Sequence, residues 1–97
     1  MSNDLSAKEA ASIIESAFAP LRCIAEPWDY DYRIRFRVLD GNDEPMLRMD
    51  EVLRPTFQNA KSLESLLNQV RDRVTRSGVE LAPWSLPGGS THLLDPM

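Results

Sequence analysis

One cysteine and one histidine in 97 residues remove most of the chemistry a small protein can carry. Cys23 has no second thiol for an intrachain disulfide, and His92 has no second nitrogen or thiolate at ligand spacing, so no metal site is expected. Glycine is scarce, at four residues, and none lies in a phosphate-cradling pattern. Leu86-Pro-Gly-Gly-Ser90 lacks a strand-to-helix context and a following Gly-Lys-Ser/Thr, so it reads as a linker. No Gly-x-Ser-x-Gly nucleophile turn occurs. Apolar runs stay far below the roughly 18 residues that cross a bilayer. Positive charge is not in excess either: 15 acidic residues against 11 basic give a net charge of -4, which disfavours phosphate backbones at whole-chain level. These absences lead to an expectation of no catalytic residue, no cofactor and no membrane association. With no signal-peptide pattern, the expected location is cytoplasmic.

What is present is enough for one domain. A chain of 97 residues with 42% hydrophobic composition holds one modest core, which homodimerisation would supplement. After a frayed start at Met1–Asp4, Ser6-Ala7-Lys8-Glu9 forms a capping box, with the Ser6 hydroxyl and the Glu9 carboxylate each accepting from the other's amide. Ala10, Ile13, Ile14, Ala17 and Phe18 then keep helical spacing. The first helix is predicted over 6–19, ended by Pro20. Leu63, Leu66, Leu67, Val70 and Val74 repeat the same spacing, with Glu64, Gln69, Arg71, Asp72, Arg73 and Arg76 largely opposite. A second helix is predicted over 60–77, capped by Asn59 or Ser62 and closed by Gly78.

Between the helices the periodicity changes. In Tyr30–Leu39, Tyr32, Ile34, Phe36 and Val38 alternate with Arg33, Arg35 and Arg37, a period of two that means a strand with one apolar and one arginine face. Strands are predicted over 21–26, 30–39 and 45–52, joined by turns at Pro27-Trp28-Asp29 and Asp40-Gly41-Asn42-Asp43. A two-residue Gly41-Asn42 loop would place Phe36 opposite Leu47, Ile34 opposite Met49, and Arg35 opposite Arg48. The same exercise at Trp28-Asp29 puts Cys23 opposite Ile34 and Leu21 opposite Phe36. A slip by one residue would set apolar against charged side chains along the whole hairpin. Arg54–Asn59 is expected to be a plain connection. The order α-β-β-β-α with a three-stranded antiparallel meander predicts an α+β two-layer sandwich over residues 1–78, both helices on the Ile34/Phe36/Leu47/Met49 face. Residues 79–97 read as a Pro/Gly-rich tail, expected to be mobile beyond residue 86. Val79, Leu81 and Trp84 in it are suited either to fold back on the core or to meet a partner.

Arg33, Arg35, Arg37 and Arg48, with Trp28, are the candidate partner-binding residues. The arginine face suits an anion, RNA or an acidic peptide, but a one-sided sheet needs a polar face in any case, so the plainer reading is a solvated surface laced to Glu26, Asp29, Asp31 and Asp50. Like charges opposed across a strand pair cost stability, which gives the arginines a reason beyond the fold. Trp28 is either a binding hot spot or a lid on a small core. Cys23 has inward parity and is read as a small hydrophobe; a base beside it would revive a nucleophile. Asp40–Glu44 lacks the glycine a calcium loop needs at its sixth position and is read as a hairpin turn.

Ile13-Ile-Glu-Ser-Ala-Phe-Ala-Pro-Leu-Arg-Cys23 resembles the Ile-Ile-Glu-x-x-Phe-x-Pro-Leu-x-Cys opening of a family of short uncharacterised gammaproteobacterial proteins, known as a domain of unknown function. The resemblance extends over 13–76 and implies a small bacterial accessory protein, with no site residue to carry over. Three functions stay open: a non-enzymatic protein-interaction or regulatory module, an RNA- or DNA-binding domain using the arginine face, and an acidic chaperone for a secreted protein.

Overall fold

The structure, a computed structural model, describes residues 4–86. The readings placed on Met1–Asn3, Gly88-Gly89, His92 and the end of the tail lie outside the described residues. The fold is α+β. Helix α1 spans Ala7–Ser16, strands β1, β2 and β3 span Arg22–Trp28, Arg33–Leu39 and Pro45–Leu53, and helices α2 and α3 span Arg54–Phe57 and Ala60–Arg76. The strands form one antiparallel sheet in the order β1-β2-β3.

Both long helices start as their sequences dictate. The Ser6 hydroxyl accepts from the Glu9 amide at 3.1 Å, and the Glu9 carboxylate accepts from the Ser6 amide at 2.9 Å. The Asn59 side chain accepts from the Ser62 amide at 3.0 Å. Gly78, with φ 103, follows the Ser77 cap of α3 in the left-handed conformation that suits glycine. Helix α1 stops at Ser16, short of the predicted 19, because Pro20 excludes helical geometry at Ala19 and the chain turns from Ala17 onward. Ala17 and Phe18 remain fully buried beyond the helix, and the Phe18 ring stacks on Phe36 at 5.9 Å.

One core cluster joins Ala10, Ile14 and Phe18 to Ile34, Phe36, Val38 and Val52 of the sheet and Leu63, Leu67, Val70 and Val74 of α3. Each large side chain buried this way contributes roughly 1.5–3 kcal/mol. The stretch 54–59 is not a plain connection. It contains α2, a single turn with Pro55 near its start, where a missing amide costs nothing, and Phe57 buried at its end.

The register departs from expectation at both hairpins. Strand β1 continues through Pro27 to Trp28, which is allowed because β1 is an edge strand. The turn lies two residues later than expected, which moves the pairing partners on β2 by four: the Tyr32 amide donates to the Asp29 carbonyl at 3.0 Å around Tyr30 and Asp31. Both central residues have positive φ, 53 and 67, as twist-matched two-residue hairpins require. Cys23 therefore faces Val38 rather than Ile34, and Tyr32 leaves the predicted apolar face for solvent.

At the second hairpin the loop is Asp40–Glu44, between the pair Leu39 and Pro45. The Asp40 carboxylate accepts from the amides of Asn42 and Glu44 at 2.8 and 3.0 Å. Asp43, not a glycine, takes the left-handed position with φ 62. The pairs are Phe36–Met49, Val38–Leu47 and Arg37–Arg48, with irregularities at either end of this central stretch. Beyond Phe36–Met49, β3 carries one extra residue, so Asp50 and Glu51 are both exposed while Val52 returns to the core opposite Ile34. Residues 79–86 run back over the helices. Val79, Leu81 and Trp84 pack against the core, and Leu86 is buried.

Candidate interaction surface

Among the described residues, helices cover one face of the sheet and leave the other to solvent. The uncovered face carries all five predicted residues: Arg33, Arg35 and Arg37 from β2, Arg48 from β3, and Trp28 from the end of β1. Trp28 is thus a strand residue, paired directly with Arg33, and not a turn residue. Its half-buried ring receives two cations, the Arg33 guanidinium at 5.5 Å and that of Arg35 at 5.4 Å. The indole N–H is buried and meets no acceptor among the described residues.

The face is arranged in rows across the sheet. In the row at the β1–β2 turn, Trp28, Arg33 and Leu53 lie side by side. Arg33 bonds to Asp29 at 2.8 Å and also pairs with Glu51. The hydrogen bond to Asp29, then the charge of Glu51, hold its guanidinium pKa above the ordinary value. In the next row Arg35 pairs with Glu26 at 3.3 Å, and the Asp50–Glu51 irregularity lies across from it. In the third row Ile24, Arg37 and Arg48 stand in line. Arg48 has Asp50 at 3.2 Å, whereas Arg37 has no ion pair among the described residues. The opposed arginines are Arg37 and Arg48, not Arg35 and Arg48 as the two-residue loop implied. A shallow cavity of about 260 Å³ lies over the second and third rows, lined by Ile24, Glu26, Arg35, Phe36, Arg37, Arg48 and Asp50.

Beyond these five residues, exposed apolar side chains gather near the β1–β2 turn. Tyr32 and Leu53 are exposed and, with Tyr30 at 91% exposure, are the large apolar side chains left to solvent among the described residues. All three gather at the Trp28 end. Arg54 builds this corner: its amide donates to the Tyr32 carbonyl at 3.0 Å, its guanidinium donates to the Asp31 carbonyl at 3.1 Å, and it stacks over the Tyr32 ring at 4.6 Å. Arg54 carried no signal, since it lies beyond the alternating run and its contacts are all non-local.

Cys23 lies on the opposite, inner face. Burial first, and the negative charge of Glu15 second, push its thiol up to about 12, so it is a neutral thiol at neutral pH. The Glu15 carboxylate accepts from the Ala25 amide at 2.9 Å. No group of three or more potential metal ligands lies together among the described residues, and no helix in them is long and apolar enough to cross a membrane. Comparison of the chain with protein-family models, curated proteins and solved structures gives no match to any of them.

Proposed function

We propose that the protein is a non-enzymatic protein-interaction or regulatory module that docks its partner on the uncovered sheet face. The observation that carries this reading is the end of the outer face where the Trp28 ring holds the guanidinium groups of Arg33 and Arg35 beside exposed Leu53, with exposed Tyr30 and Tyr32 at the adjoining turn. Trp, Tyr and Arg dominate the residues that carry binding energy in protein interfaces. Such a corner adds nothing to the core. Exposed ion pairs such as those beside it contribute little, so stability does not demand this composition.

Nucleic acid is the less favoured partner. Arg33, Arg35 and Arg48 each already hold a carboxylate, and those carboxylates would face the phosphates. A bacterial accessory role and a cytoplasmic location belong to the same proposal.

The test is affinity capture of the tagged full-length chain from lysate of its own organism, with and without nuclease, beside Trp28→Ala. A nuclease-resistant protein partner that Trp28→Ala loses by about tenfold or more is expected. Recovery abolished by nuclease would replace this reading with nucleic-acid binding.

A further inference from the structure

We infer that the cleft over Ile24, Arg37 and Arg48 receives a carboxylate side chain from an acidic segment of a partner protein. The inference deepens the proposed function and rests on it. Arg37 and Arg48 are directly opposed across β2 and β3, an arrangement that repels and is destabilising when left alone. Arg48 is partly answered by Asp50; Arg37 is answered by nothing among the described residues. The cavity lining holds three arginines and two carboxylates, Glu26 and Asp50, and so keeps one positive charge.

That single charge selects the ligand. One carboxylate neutralises it and accepts from both guanidinium groups, a pairing that suits their planar forks. The Ile24 side chain, directly across from Arg37, provides an apolar wall for the methylene stem of the incoming residue. A polynucleotide presents a phosphate every few ångströms and needs a run of free cations. Here the neighbouring rows are already neutralised by Glu26, Asp29 and Glu51.

The experiment is a titration of the isotope-labelled full chain, followed by amide and arginine side-chain NMR signals. The probes are a capped hexaglutamate peptide, a capped hexaglutamine peptide and a thymidine dodecamer. Hexaglutamate is expected to move the signals of Ile24, Arg37 and Arg48. Arg37→Gln, an exposed change with no partner to lose, is expected to weaken that binding about tenfold. Spectra unmoved by millimolar hexaglutamate, equal shifts with hexaglutamine, or tighter binding of the dodecamer at the same residues would each overturn the inference. If hexaglutamate fails while capture still depends on Trp28, only the carboxylate cleft is lost. If capture finds no protein partner, the underlying reading is lost.

Discussion

Cys23 shows how a single residue's environment settles its chemistry. The thiol lies beneath α1 with Glu15 nearby, and both burial and that charge oppose its ionisation. Its folded pKa, about 12, stands above the unfolded value of about 8.5. The folded state therefore holds a proton that the unfolded chain releases. The contribution to stability is fully present below about pH 8.5 and is lost as the pH rises toward about 12. Cys23→Ala is expected to flatten this alkaline fall, measured as urea midpoints between neutral pH and pH 10 against the parent chain. A parent and variant that fall in parallel would show that other groups cause the loss. The same burial predicts that an alkylating reagent labels Cys23 slowly in the native protein and quickly in urea. Trp28 shows the opposite case, in which ordinary residues gain meaning from neighbours. Its ring carries two guanidinium groups that pairing alone brought to it.

At the scale of elements, the turns and bulges position the surface. Asp29, Tyr30 and Asp31 all have positive φ, which costs roughly 1–2 kcal/mol for a residue with a side chain. The cost is offset by the Asp29 carboxylate on Arg33 and by Arg54 on the Asp31 carbonyl. Asp31→Gly keeps that carbonyl and removes the conformational penalty at φ 67. It is expected to raise stability by about 0.5–1 kcal/mol in urea unfolding. A destabilised variant would mean that the Asp31 side chain itself holds the turn. The extra residue in β3 has a different effect. It places Asp50 and Glu51 together on the outer face, within reach of Arg48 and Arg33, and returns Val52 to the core.

At the scale of the whole molecule, Arg71 ties the C-terminal segment to the rest. Placed by periodicity on the outer side of α3, it is in fact half-buried. It donates to the Ala17 carbonyl at 2.6 Å and the Ala82 carbonyl at 2.9 Å, and it stacks on Trp84 at 5.9 Å. The Trp84 indole in turn donates to the Ser16 hydroxyl at 3.2 Å. Arg71→Gln is expected to cost about 2 kcal/mol and to speed hydrogen exchange across 79–86. Unchanged exchange there would show that the apolar contacts of Val79, Leu81 and Leu86 hold the segment without it.

The sequence by itself determined both long helices and their caps, three strands, the α+β class, and which face of β2 is apolar. These are local quantities: capping atoms lie three residues apart, and side-chain direction has a period of 3.6 or two. It placed the arginines and Trp28 among the candidates, though with Trp28 in a turn. Only the tertiary structure decided the register, because alternation is unchanged when a strand pair slips by two or four residues. Cys23 keeps its inward parity opposite either Ile34 or Val38, and Arg48 keeps its outward parity opposite either Arg35 or Arg37. Closing the pairing required turn geometry at Asp29–Asp31, an extra residue at Asp50–Glu51, and partners far along the chain such as Arg54 and Arg71. Those contacts join residues that no local pattern connects, so the corner around Trp28 and the opposed pair Arg37–Arg48 exist only in the folded molecule.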